Sequence, residues 1–253
     1  MWQILKNRIK QGYRTSRYPK EEPVFPSRFR GKPVLRNIEM NASLENNFQK
    51  EKDATGSISW GNTPSVDMGK LLFNEDLKEA LPSGSFEYSN DYRMAVSRRE
   101  DLILQGDELK LASALNCKMK KILGHSLRLR EVSAGSCGGC DAEVQALGNV
   151  VFDLSRFGIG FVASPRHADG LLVTGPVTKN MKLALKKTYE ALPDPKIVIA
   201  VGACAASGGP FMGGPEVSNG VDSIIPVDLY VPGCPPHPLT ILDGLLRLLG
   251  RLG

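Results

Sequence analysis

No run of eighteen apolar residues occurs in the sequence, so no helix is expected to cross a membrane. The first dozen residues, MWQILKNRIKQG, hold no apolar block followed by a small-residue cleavage site, and a secretory signal is excluded. A cytoplasmic chain is expected, in which thiols stay reduced. Cysteine is sparse and odd in number, at five. In a reducing compartment that excludes a disulfide framework and points to metal or redox chemistry. Also missing is any helix-turn-helix, zinc-finger or RNP pattern, so nucleic acid is not expected as a partner. The glycines of residues 208–214 lack the Lys and the following helix of a phosphate-binding loop, and read instead as a flexible loop over the site described below.

What is present suits a soluble globular protein: 42% hydrophobic and 23% charged residues, in a chain long enough for one large domain or two modest ones. The net charge of +5 is uneven. Residues 1–36 hold ten Lys or Arg against two Glu, a net of +8, which leaves −3 for the remainder. Trp2, Ile4, Leu5 and Ile9 are threaded through those cations, the pattern of a segment that docks on an acidic protein surface or on lipid headgroups.

The chain has two textures. Residues 1–100 are polar and turn-rich, without a long helical or strand pattern. Residues 101–125 read as a linker helix, with Cys117 on its stretch Glu108–Leu123 as a small buried hydrophobe. Beyond it strands alternate with helices. Strands are expected at Leu127–Val132, Ile159–Ala163, Gly170–Thr174, Ile197–Val201 and Leu229–Val231. Helices are expected at Asp141–Phe157, capped by Asp141, at Thr178–Leu192, stopped by Pro193, and at Leu239–Leu249. This alternation predicts an α/β domain with a largely parallel sheet over residues 126–253.

Four cysteines share one context. Cys137 and Cys140 follow the first strand in Gly135-Ser136-Cys137-Gly138-Gly139-Cys140. Cys204 follows Ile197–Val201, and Cys234 follows Leu229–Val231 in Val231-Pro232-Gly233-Cys234-Pro235-Pro236. Loops at the carboxyl ends of parallel strands converge on one edge, where ligands bind. Four thiolates suit a structural zinc or a 4Fe–4S cluster. Zinc ribbons pair two C-x-x-C knuckles, whereas here one pair is joined by two single cysteines after intervals of 63 and 29 residues, which favours iron–sulfur.

With Asp141-Ala142-Glu143 added, the first cysteine loop resembles the cluster motif of small subunits of membrane-bound, energy-converting and formate-hydrogenlyase-type nickel–iron hydrogenases. Residues 166–178, Arg-His-Ala-Asp-Gly-Leu-Leu-Val-Thr-Gly-Pro-Val-Thr, and residues 231–236 resemble that family's other two signatures. The same superfamily contains the quinone-side cluster subunit of complex I, where the first two ligands are adjacent cysteines. The resemblance implies a flavodoxin-like fold and one 4Fe–4S cluster on Cys137, Cys140, Cys204 and Cys234. It further implies an electron-conducting rather than catalytic role. The expected partners are a hydrogenase-like large subunit carrying the nickel–iron site, other electron-transfer subunits and the membrane arm of the complex. The chain would then lie peripherally on the inner face of the cytoplasmic membrane. Two alternatives stand beside this reading: the cluster subunit of a complex I-like or sulfur-linked oxidoreductase, and a zinc-stabilised assembly module.

Residues 70–86 resemble one half of a two-cluster ferredoxin, C-x-x-C-x-x-C-x-x-x-C-P. Anchored on Pro82 and Gly84, the ligand positions fall on Leu71, Asn74, Leu77 and Leu81. A second copy anchored on Gly56 places them on Ser43, Asn46, Gln49 and Asp53. None is cysteine. Thr15, Tyr18-Pro19, Phe29-Arg30-Gly31 and Arg98-Arg99-Glu100 also resemble the polyferredoxin subunits of such complexes. Residues 1–100 are therefore expected to form a small α+β degenerate ferredoxin-like domain in which leucine refills the space of a lost cluster. Among other residues, Glu143 is expected to favour the helix dipole, with a proton relay as the alternative that the family suggests. His167 is expected in the core or at an interface, and His237 is not expected as a ligand.

Overall fold

The computed structural model describes residues 2–36, 53, 55–59, 64–81, 84–106, 108–116, 119–120, 123 and 126–252. It opens on a helix that the sequence pattern did not reveal, α1 (Trp2–Gln11), none of whose side chains is buried. Gly12 ends it in the left-handed region at φ +64°, its N–H donating to the Arg8 carbonyl at 3.1 Å.

The N-terminal unit is built from strands too short to leave a period-two signature. β1 (Pro33–Leu35) pairs antiparallel with β4 (Phe86–Tyr88). Nested between them in sequence, β2 (Ile58–Ser59) pairs antiparallel with β3 (Ser65–Asp67), and α2 (Asp76–Ala80) lies between β3 and β4. β5 (Ile103–Gln105) adds a third strand beside β3. The linker helix expected over 101–125 is therefore cut back to its far end, where Met119, Lys120 and Leu123 are helical. Its start belongs to the N-terminal sheet, and residues 108–116 run without regular structure. Their backbone is satisfied by tertiary partners instead: the Ala112 N–H donates to the Ala95 carbonyl and the Leu115 N–H to that of Leu248. Cys117 lies outside the described residues.

The second unit is a five-stranded, wholly parallel sheet of β6 (Leu127–Ser133), β7 (Ile159–Phe161), β8 (Gly170–Thr174), β9 (Ile197–Val201) and β10 (Leu229–Val231). All five expected strands form. The spatial order β7-β6-β8-β9-β10 is the 2-1-3-4-5 order of the flavodoxin-like fold. Every residue of β8, β9 and β10 is buried, which is why they read as unbroken apolar runs rather than alternating ones.

Helices α4 (Lys179–Glu190) and α6 (Pro238–Leu248) fall where expected. The helix expected over 141–157 does not run that far. It forms as α3 (Gly139–Ala146) and stops where Gly148 and Asn149 follow. The Asn149 side chain accepts from the N–H groups of Val151 and Phe152, an alternative to helical bonding. A separate 3₁₀ turn covers Leu154–Phe157. A short helix, α5 (Ala203–Ser207), went unforeseen.

The N-terminal segment is bolted to α6, ten of whose eleven residues are buried. Buried Asp243 accepts from the Tyr18 hydroxyl at 3.0 Å and from Arg247 Nε at 2.8 Å. Tyr18→Phe strands one oxygen of that buried carboxylate. It is expected to cost about 1–3 kcal/mol, read as a lowered denaturation midpoint with an unchanged cooperativity slope. The two units also share a core. Leu71, Phe86, Val96 and Leu102 pack in the same apolar cluster as Val132, Leu171, Val198 and Ala206. Val96 bonds Tyr230 of β10 in both directions, as an antiparallel bridge on the edge of the parallel sheet.

Candidate metal centre

Strand register places the cysteines. Ser133, Thr174, Val201 and Val231, the last residues of β6, β8, β9 and β10, stand opposite one another across the sheet. The loops after them leave from one level and are laced together. The Gly202 N–H donates to the Val231 carbonyl at 2.8 Å, and the Ala203 N–H to the Gly233 carbonyl at 2.9 Å. The loop after β6 meets the loop after β8 so closely that a Cβ on Gly175 would lie 2.7 Å from the Ser136 nitrogen.

Cys137 and Cys140 arrive on the first of these loops, Cys204 on α5 and Cys234 on the loop after β10. Glycine makes their approach possible. Gly202, at φ +92°, has its missing Cβ 2.5 Å from the Cys140 sulfur. Gly209, at φ +54°, has its missing Cβ 2.8 Å from the Cys204 sulfur. Any side chain at either position would displace a thiol. The glycine loop over 208–214 thus sits against Cys204, tied down by Gly208 N–H to the Cys204 carbonyl and Gly213 N–H to Asn219.

Cys140 is buried, Cys204 partly so, and Cys137 and Cys234 are open to solvent. Burial, and then the neighbouring thiols Cys204, Cys234 and Cys137, push the Cys140 pKa up to about 12. Burial followed by Cys234 and Cys137 raises Cys204 to about 11. Without a cation both groups stay protonated, so binding soft metal here must release protons. Four thiols are a donor set that suits an iron–sulfur cluster or zinc, although among the described residues no three of them are gathered as tightly as around a bound metal ion.

Asp141 does something other than cap α3, whose N-cap is Gly138 in the left-handed region. Its carboxylate accepts from Thr174 Oγ1 at 2.5 Å, from Ser133 Oγ at 3.1 Å and from Ser136 Oγ, pinning the cysteine loop to β6 and β8. Glu143 lies beyond the first turn of α3, so the dipole account does not hold. It faces a cavity of about 250 Å³ shared with Arg28, Arg30, Cys234 and His237, and burial raises its pKa.

His237 caps α6, its Nδ1 accepting from the Leu239 N–H at 3.1 Å. Its ring packs edge-on to Phe25, Phe29 and Phe152, and burial lowers its pKa. His167 is neither in the core nor near the cysteines. It is exposed, in the turn that enters β8 at the opposite edge of the sheet.

Two features escaped sequence reasoning. Arg99 grips Asp67 with two bonds of 2.8 Å and donates from Nε to the Ala206 carbonyl of α5 at 3.1 Å. The Ser207 hydroxyl reaches the Gly69 carbonyl at 2.8 Å. The N-terminal unit is therefore hydrogen-bonded to the element that carries Cys204. Beside that element, Phe211 and Met212 are exposed.

Residues 137–248 match the family described as NADH ubiquinone oxidoreductase, 20 Kd subunit. The chain is 50% identical over 132 residues to the probable membrane-bound hydrogenase subunit mbhJ of Pyrococcus furiosus, covering 52% of this chain and 79% of that one. It is 44% identical over 140 residues to formate hydrogenlyase subunit 7 of Escherichia coli, 55% of each chain. It is 50% identical over 116 residues to a subunit of the NADH-quinone oxidoreductase of Bacteroides thetaiotaomicron, 46% of this chain and 58% of the other. With the parallel sheet, the cysteine loops and the archaeal likeness in agreement, the chain belongs to the family of the 20 kDa subunit of NADH ubiquinone oxidoreductase.

Proposed function

We propose that the chain is the electron-transfer small subunit of a membrane-associated nickel–iron hydrogenase, holding one 4Fe–4S cluster on Cys137, Cys140, Cys204 and Cys234. The observation that carries this reading is that all four cysteines lie on segments leaving one edge of the parallel sheet, with glycine cut away beside Cys140 and Cys204. A cluster held there supplies one-electron transfer. Exposed Cys137 and Cys234, with Phe211 and Met212 nearby, support a face covered by a large partner subunit. Among the described residues no helix is long and apolar enough to cross a membrane, so membrane association comes through other subunits or through a surface of this chain.

The deciding experiment is anaerobic co-purification with metal analysis. Iron in this chain, nickel in a large partner and broad visible absorbance are expected. Zinc in a colourless protein overturns the assignment. A second reading, a complex I-like oxidoreductase without nickel, is favoured by the likeness to the NADH-quinone oxidoreductase protein. Iron without nickel in the co-purified complex would select it.

A finer test uses Gly202. Gly202→Ala drives a methyl into the Cys140 sulfur and is expected to lower iron per chain. Gly160→Ala, where an added Cβ meets nothing within 4 Å, is expected to leave iron unchanged. Equal iron in both variants counts against Cys140 as a ligand.

A further inference from the structure

We infer that α1 is a docking surface for an anionic lipid bilayer, so that this chain touches the membrane itself. Trp2, Leu5 and Ile9 are 70%, 50% and 82% exposed. At about 100° per residue they fall within an arc of roughly 60° on the helix, with Ile4 outside it. Lys6 borders this stripe on one side and Arg8 on the other, with Lys10 beyond Lys6. Residues 1–20 contain six Lys or Arg and no Asp or Glu. Of these, Arg17 alone appears among the described ion pairs, with Glu21. Lys6 lies 5.8 Å from the centre of the Trp2 ring, its charge beside the apolar face rather than paired with a carboxylate.

Two physical arguments select the occupant. A ten-residue helix that buries nothing gains no stability from packing, and helices of this length are marginal alone, so α1 requires a surface that takes up its stripe. Cations on both flanks of a narrow apolar stripe, with tryptophan on it, match a flat negative plane that has an apolar layer beneath. An acidic protein groove would need carboxylates along both of its walls.

The inference stands apart from the cluster assignment, because α1 shares no residue with the cysteine site. It is tested on the full chain carrying Trp60→Phe, which leaves Trp2 the only tryptophan. Vesicles of phosphatidylglycerol and phosphatidylcholine are expected to shift Trp2 emission to the blue and to allow quenching by brominated acyl chains. Pure phosphatidylcholine is expected to bind about tenfold more weakly or less, and salt to reverse the binding. Flotation of the otherwise unsubstituted chain gives the same answer if Trp60→Phe disturbs folding. There, Ile9→Glu and Lys6→Glu should each release the protein from anionic vesicles. Emission unaltered by anionic vesicles, or flotation undiminished in both variants, overturns the proposal. Equal binding to the neutral lipid does so as well.

Discussion

Replacing Cys204 by alanine is expected to abolish the cluster or strip it below its full complement, taking iron down from about four per chain and bleaching the visible absorbance. The effect should be on the metal and not on the fold. Cys204 is only partly buried, and α5 is held by its buried neighbours Ala203, Ala205, Ala206 and Ser207 and by the Arg99 and Ser207 bonds to the N-terminal unit. Cys117→Ala is expected to leave iron content intact, since the proposed ligand set of Cys137, Cys140, Cys204 and Cys234 is complete without it. Metal analysis and spectra of the anaerobically purified variants decide the matter, and full iron retention in Cys204→Ala would sink the ligand assignment.

The same bonds give the N-terminal unit a structural role towards the site. Asp67 orients Arg99, and Arg99 holds the Ala206 carbonyl two residues beyond Cys204. Packing from residues 71–102 continues without a break into the core under β8 and β9. The loop that presents Cys204 is thereby braced from both units, which suits a cluster that must change charge without its ligands moving.

The parallel sheet was legible because β8, β9 and β10, buried on both faces, read as unbroken apolar runs, while β6 alternates, and each of the five strands is followed within a few residues by glycine, proline or serine. The placement of four cysteines beyond the carboxyl ends of β6, β9 and β10 was legible too, because each follows a strand of this sheet. Where expectation failed, the competing physics was local or remote. At 141–157 apolar spacing continued past Gly148-Asn149, but the Asn149 side chain bonds the backbone there and ends the helix. At 108–116 helical composition lost to tertiary hydrogen bonds that Ala112 and Leu115 donate to the carbonyls of Ala95 and Leu248. The N-terminal strands, two or three residues long, are below the length at which alternation can be counted. Contacts such as Tyr18 to Asp243 or Arg99 to Ala206 join residues 225 and 107 positions apart and leave no periodic trace.

Leu71→Ala is expected to cost about 2–5 kcal/mol and to lower the melting temperature by on the order of 10 °C, while iron stays at about four per chain. The reason lies in the ligand positions of the ferredoxin-like resemblance. Leu71, Leu77 and Leu81 are 0%, 3% and 6% exposed and belong to one core with Phe73 and Phe86. Asn74, at the remaining position of that copy, turns its side chain to Asp76 at 2.7 Å. In the other copy Ser43, Asn46 and Gln49 lie outside the described residues. Asp53 is buried and accepts from Ser57 Oγ at 2.9 Å and the Ile58 N–H at 2.8 Å, tightening the turn before β2. Both copies place a glycine with positive φ after the last position, Gly56 at +59° and Gly84 at +82°. The nesting of β2 and β3 within β1 and β4 agrees with a duplicated unit. If leucine now fills the volume of a lost cluster, truncating one opens a cavity in a closed core, and stability falls without any change in metal. Thermal unfolding and iron analysis of the same preparation separate the outcomes. Iron near eight per chain, or spectra of two interacting clusters, means that the N-terminal unit still conducts. A Leu71→Ala protein as stable as its parent means that the space was never refilled.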